Sequence, residues 1–148
     1  MLEILESGLL TTVQDLGRRA YQRFGVPVGG AMDSFALRAA NGLVGNPWDA
    51  AGLEVTVIGP RLRPTQSCIL AVTGADLGLR VGGREAPLWT TIAVRPGTVV
   101  EFAGHRNGCR AYVAVAGGVA VPPVMGSRST YLPAGIGGLQ GRALRRGD

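Results

Sequence analysis

Two glycine-framed polar strings carry the side chains best suited to chemistry: Gly30-Ala31-Met32-Asp33-Ser34 and Gly126-Ser127-Arg128-Ser129-Thr130. Arg128 presents five N–H donors in a flat fork that matches a carboxylate or phosphate in bidentate fashion. Ser127 and Ser129 flank it with hydroxyls that both donate and accept. Glycine lets the backbone turn with φ above zero and lets a ligand approach closely. Polar loops held by a rigid scaffold are where binding and catalysis concentrate. Brought together in space, the two strings would form a site for an anion or an amide. The alternative for each is a surface loop whose polar groups satisfy their own backbone. Arg142, in a second glycine-rich loop, offers another fork.

The carboxylates leave their roles open. Asp33 reads either as the N-cap of a helix starting at Ser34 or as a base or substrate-orienting group. Asp76, after an apolar strand and Gly74, is placed either to aim into a pocket or to close an Asx-turn. Glu54 opens an apolar strand, as an edge residue or as a buried charge with a partner. His105 is the only histidine and lies in a turn-like stretch, which is short of a triad. The basic residues are all arginine, so neither a P-loop lysine nor a Schiff-base lysine is available. Cys68 and Cys109 sit in apolar stretches and read as small buried hydrophobes; two cysteines are too few for a structural zinc site. What remains is electrostatic recognition without a nucleophilic triad.

Positioning these loops requires a frame, and the composition says which kind. Hydrophobic residues make up 46% of 148 and charged ones 17%, which suits one folded domain and not a disordered tail. The 24 glycines follow no collagen-like period and so punctuate turns between short strands. Residues 2–5 and 9–13 read as strands, and then a helix runs from Asp33 to Gly45 with Ala36, Ala40 and Leu43 on one face. Later strands cover residues 53–58, 68–73, 79–81, 84–86, 91–94, 98–102 and 110–116, with Gly82-Gly83 a two-residue hairpin signal. Residues 122–148 read mainly as loop. A net charge of +5 raises nucleic-acid binding, but the arginines are scattered and only 5% of residues are aromatic, the wrong pattern for it. The start shows no secretory signal. The uncharged run over 111–125 is too short and too broken to span a bilayer; a cytoplasmic chain is expected. That run is also a candidate surface for a partner subunit.

Several segments together resemble one family. Thr11-Thr12-Val13-Gln14-Asp15-Leu16-Gly17-Arg18, Gly25-Val26-Pro27-Val28-Gly29-Gly30-Ala31-Met32-Asp33 and Ala40-Asn41-Gly42-Leu43-Val44-Gly45-Asn46 carry the match. It continues through Leu53-Glu54-Val55-Thr56, Thr73-Gly74-Ala75-Asp76-Leu77, Ala116-Gly117-Gly118 and Gly126-Ser127-Arg128-Ser129-Thr130, with Gly137-Gly138 and Gly141-Arg142 beyond. The chain resembles the carboxyltransferase subdomain A/B family, known as allophanate hydrolase subunit 2 or the 5-oxoprolinase C subunit. The resemblance implies a cyclophilin-like β-barrel and work in a multi-subunit assembly with a partner similar to allophanate hydrolase subunit 1. Three activities are implied by different members: ATP-dependent opening of 5-oxoproline to glutamate, biotin-dependent carboxyl transfer to urea, and a non-catalytic role against a sporulation-kinase inhibitor. On the first, the chain would be a hydrolase subunit acting on a cyclic amide, with Arg128 and Asp76 catalytic and Asp33, Ser34, Ser127, Ser129 and Arg142 binding substrate. Family members run longer, so the chain is expected to be the N-terminal portion of such a fold.

Overall fold

Ten strands and one α-helix account for the regular structure in the computed structural model, which describes all residues Met1–Asp148. One sheet orders β1 (Leu2–Glu6), β4 (Arg61–Pro64), β9 (Val100–Phe102), β6 (Leu79–Val81) and β7 (Arg84–Glu85). The other orders β2 (Leu10–Gln14), β3 (Gly52–Thr56), β10 (Asn107–Val115), β5 (Cys68–Asp76) and β8 (Thr91–Val94). Every pairing is antiparallel. The architecture is mainly β, as expected, but the barrel is not closed: β1 and β7 edge one sheet, and β2 and β8 the other.

Alternation along the strands explains the layering. Val13, Leu53, Val55, Leu70, Val72, Ala111 and Val113 turn one way from the second sheet and join Ile4, Leu62, Leu79 and Val100 in a single core. Each large member of that core contributes about 1.5–3 kcal/mol through burial. Tyr112 turns the other way, onto α1 (Ser34–Leu43), where it packs against Ala36 and Leu37. The central strand β10 is therefore covered on both faces. That buries Ala111–Ala114, so of the candidate docking run 111–125 only the part from residue 115 onward reaches the surface.

The links at Ser7-Gly8 and at Arg95-Pro96-Gly97 each carry the chain from one sheet to the other. Strand β4 turns only Leu62 and the closing Pro64 inward, beside two arginines, too short an alternation to stand out, and the proline reads as a break. Gly82-Gly83 does close a hairpin, β6 to β7. Cys109 is exposed and Cys68 half-buried; Cys109 lies where the pairing of β10 with β5 shifts register, between Asn107 and Ala111. No helix is long and apolar enough to cross a membrane.

Candidate functional site: an aspartate that gathers two loops

Immediately past β2, the chain leaves the sheet at Asp15, which is 8% exposed. Its carboxylate accepts four donors from two directions. The Ser127 hydroxyl donates to Oδ1 at 2.7 Å, the Arg128 amide to Oδ2 at 2.6 Å and the Gly17 amide to Oδ1 at 2.8 Å, and the Ser129 hydroxyl also donates to Oδ1. In return, Ser129 Oγ accepts from the Asp15 amide at 3.0 Å. Burial pushes the Asp15 carboxyl up, but the hydroxyls of Ser129 and Ser127 and the amides of Arg128 and Gly17 outweigh it. The net position is below the ordinary carboxylate value. The aspartate is thus ionised without a cation beside it.

The backbone of the same residue holds the other polar string. Asp15 O accepts from the Ala31 amide at 2.9 Å, and the Arg18 amide donates to Val28 O at 2.7 Å. A side chain at Gly30 would meet Gly17 N at 2.7 Å, so the two backbones touch where φ is +90° at residue 30. The segments around residues 30 and 128 therefore both contact one four-residue piece, 15–18.

A tight turn delivers Arg128. Val124 and Ser127 exchange two backbone hydrogen bonds, 2.8 and 3.2 Å, across Met125 (φ 50) and Gly126 (φ 74). Two left-handed residues in succession make a type I′ turn, and at Met125 that conformation costs about 1 kcal/mol. Beyond the turn, burial alternates: Ser127 and Ser129 are buried and Arg128 between them is exposed. Arg128 Nε donates to Val121 O at 2.8 Å, which fixes the plane of the guanidinium, and neither terminal nitrogen donates to another protein group. A fork held at its base with its two tips free is suited to receive a carboxylate or a developing oxyanion.

Arg18 supports this loop from below. Its guanidinium is completely buried and donates to Ser129 O, while Nε and Nη1 find no protein acceptor. It fits only because its neighbours are glycines: a Cβ at Gly137 would lie 2.7 Å from Nη2 and inside contact distance of Ser129 O.

The remaining expected residues are placed as follows. The hydroxyls of Ser127 and Ser129 are committed to Asp15 and not free in the loop. Asp33 caps α1, accepting from the Ala36 amide at 2.9 Å, and Ser34 begins the helix with its side chain exposed. Asp76 closes an Asx-turn onto the Gly78 amide at 2.8 Å. The register puts it far from Asp15: Gln14 pairs with Gly52, Leu53 with Val113 and Ala114 with Ala71. Asp76 is thus roughly 20 Å from it along the strand direction and three strands across. Arg142 follows a second I′ turn at Gln140-Gly141 and forms a double ion pair with Asp148, 2.7 and 2.8 Å. Sequence reasoning weighed neither Asp15 nor Arg18 as a site residue. The available signal was a carboxylate at a strand end followed by glycine within a segment that also carries the family resemblance.

Two hollows adjoin this region. An open cleft of about 590 Å³ lies between residues 15–24, Asp49 and the Met125-Gly126 turn. A second hollow of about 490 Å³ is walled mainly by core side chains, Ile4, Val13, Leu53 and Leu144 among them. The model for the carboxyltransferase domain, subdomain A and B, matches residues 24–148. The chain belongs to that family. Among other members of this carboxyltransferase family, the 5-oxoprolinase C subunit of Escherichia coli K12 is 43% identical over 150 residues, covering all of this chain and 48% of the relative. The urea amidolyase of Saccharomyces cerevisiae is 37% identical over 99% of this chain and 8% of its own length. The crystal structure of the Kluyveromyces lactis urea amidolyase superposes with a TM-score of 0.97 at 38% identity, over 99% of this chain and 9% of the larger one. This carboxyltransferase chain spans about half the length of its 5-oxoprolinase relatives and a small part of the amidolyases.

Proposed function

We propose that this chain is part of a 5-oxoprolinase C subunit, working with partner subunits to open 5-oxoproline to glutamate at the expense of ATP. The observation that carries the reading is the Arg128 fork, held at Nε and free at both tips. 5-Oxoproline bears a carboxylate that such a fork can grip, whereas urea bears none. Similarity supports it too, since the 5-oxoprolinase of Escherichia coli is more identical to this chain than the yeast amidolyase is. In this reading Arg128 touches the substrate carboxylate or the oxyanion that develops on the lactam carbonyl as its C–N bond opens. Ser127, Ser129 and Asp15 position it. Asp33 and Ser34, on the neighbouring loop, would meet the ring N–H; Asp76, across the sheet, and Arg142, paired with Asp148, stand outside this reading.

The partner, similar to allophanate hydrolase subunit 1, would hold ATP, because the residues here do not fit it. The one helix N-terminus long enough to receive a phosphate is already occupied by the carboxylate of Asp33, and the chain has no lysine. Biotin enters only under the second reading.

A second reading is a carboxyltransferase domain of the urea carboxylase type. The near-coincidence of backbone with the Kluyveromyces lactis enzyme favours it. One assay separates the two: ATP-dependent conversion of 5-oxoproline to glutamate by the intact complex, with biotin-carrier protein and urea as the competing arm. Arg128→Lys should raise KM for 5-oxoproline about tenfold or more, since a point charge cannot replace the fork. Unchanged kinetics would remove Arg128 from the site.

A further inference from the structure

A completely buried guanidinium with no carboxylate beside it is the least expected group in this molecule. Arg18 donates through Nη2 to Ser129 O, and its Nε and Nη1 have no protein acceptor. Five other arginines, at 61, 63, 106, 110 and 142, are ion-paired to carboxylates and keep part of the side chain in solvent. Arg18 does neither. Asp15, in the same segment, already takes four donors from elsewhere. An arginine does not lose its proton inside a protein, so the charge stays. Replacing a buried charge by an apolar side chain of similar volume is often neutral or stabilising. Stability of the fold therefore gives no reason for a guanidinium at position 18. The loop it touches does.

Residues 127–129 are gripped twice by the one segment 15–18. Asp15 takes the Arg128 amide and the hydroxyls of Ser127 and Ser129, and Arg18 takes the Ser129 carbonyl. The guanidinium also borders the other polar string, since a Cβ at Gly29 would lie 3.5 Å from Nη1. The two gripping charges are opposite in sign. Alone, an ionised Asp15 bonded to the Arg128 amide would oppose an anion at the tips of the fork. A unit cation in the same segment offsets that field. We propose that Arg18 is a positioning residue for Arg128: it fixes the carbonyl side of the loop and offsets the charge of Asp15, so that the fork meets an anion undiminished. The inference rests on the reading of Arg128 as the group that holds the substrate carboxylate.

The test compares Arg18→Met, which removes the charge, with Arg18→Lys, which keeps it. In the intact complex, Arg18→Met should raise KM for 5-oxoproline about tenfold and leave kcat within about twofold. That is the scale of one unit charge acting over roughly 10 Å through a protein-like dielectric. Arg18→Lys should recover most of the loss. The melting temperature of Arg18→Met should equal or exceed that of the wild type. In the full chain without ligand, hydrogen exchange at the amides of Arg128, Ser129 and Gly138 should quicken about tenfold in Arg18→Met. The amides of the paired residues Leu53 and Val113 should exchange as before. An unchanged KM, a loss that Arg18→Lys shares in full, or a lowered melting temperature in Arg18→Met would each overturn the proposal. A wild-type complex that turns over no 5-oxoproline would instead sink the oxoprolinase reading. Exchange then decides alone: quickening confined to the loop supports the role of Arg18, and unaltered exchange overturns it.

Discussion

Asp15 and Glu54 are both carboxylates that organise a loop at the second sheet, yet they are satisfied in different ways. Asp15 takes two hydroxyls and two backbone amides. Glu54 takes the Tyr112 phenol and the Met32 amide, both at 2.8 Å, and has Arg110 at 3.6 Å. Tyr112 in turn accepts from the Asp33 amide at 2.7 Å, so the start of α1 is tied through a phenol to the sheet. Burial, with the Glu54 hydrogen bond behind it, pushes that phenol well above its ordinary value despite the opposing Asp33 amide, keeping it a donor. One carboxylate draws on an arginine and the other does not. The neutral solution at Asp15 leaves the arginines of its surroundings, Arg19, Arg23 and Arg128, without a carboxylate partner.

The sharpest way to break this contrast is Asp15→Asn. An amide there turns donors toward the Ser127, Ser129 and Arg128 donors and leaves some of them unmet. A loss of about 3–4 kcal/mol is expected, read as a lower urea midpoint at unchanged slope. The acid limb sharpens the same point. The folded carboxyl of Asp15 is below its ordinary value of 3.8, so its stabilisation is fully present above about pH 4 and disappears as pH falls through the folded value. The wild type should lose stability below about pH 4, and Asp15→Asn should lack that part of the slope.

Smaller effects belong to the other carboxylate. Tyr112→Phe removes the acceptor for the Asp33 amide and the donor to Glu54, costing about 2 kcal/mol by thermal melting. Arg110→Gln should cost less than about 1 kcal/mol, because the pair is long and the arginine a quarter exposed. A larger loss for Arg110→Gln than for Asp15→Asn would invert the comparison.

Much of the frame was legible because its signals are local. The Asp33 cap, the 3.6-residue spacing of Ala36 and Ala40, and the Gly82-Gly83 turn each lie within a few residues. The sheet partner of a strand does not, so nothing local in Arg95-Pro96-Gly97 tells that the turn crosses between the sheets. The loops at 30 and 128 were visible as polar strings, but what unites them was not. Asp15 and Ser127 are 112 residues apart, and no periodicity links a strand-end aspartate to serines near the far end of the chain. Ser127 and Ser129 illustrate the same limit: their types announce hydrogen bonding, and only the fold says to whom.

The contacts that fix residue 128 in place come from its own amide and from the hydroxyls on either side. Apart from the Nε bond to Val121 O, its side chain takes no part in shaping the loop, so the bonds to Asp15 do not depend on which side chain stands there. Selectivity for what is held there can consequently change by a single codon, without rebuilding the support. Gly137 has no such liberty, since one added methyl would strike both Ser129 O and the buried guanidinium. Variation across relatives of this protein should therefore follow the substrate at the first position and be nearly silent at the second.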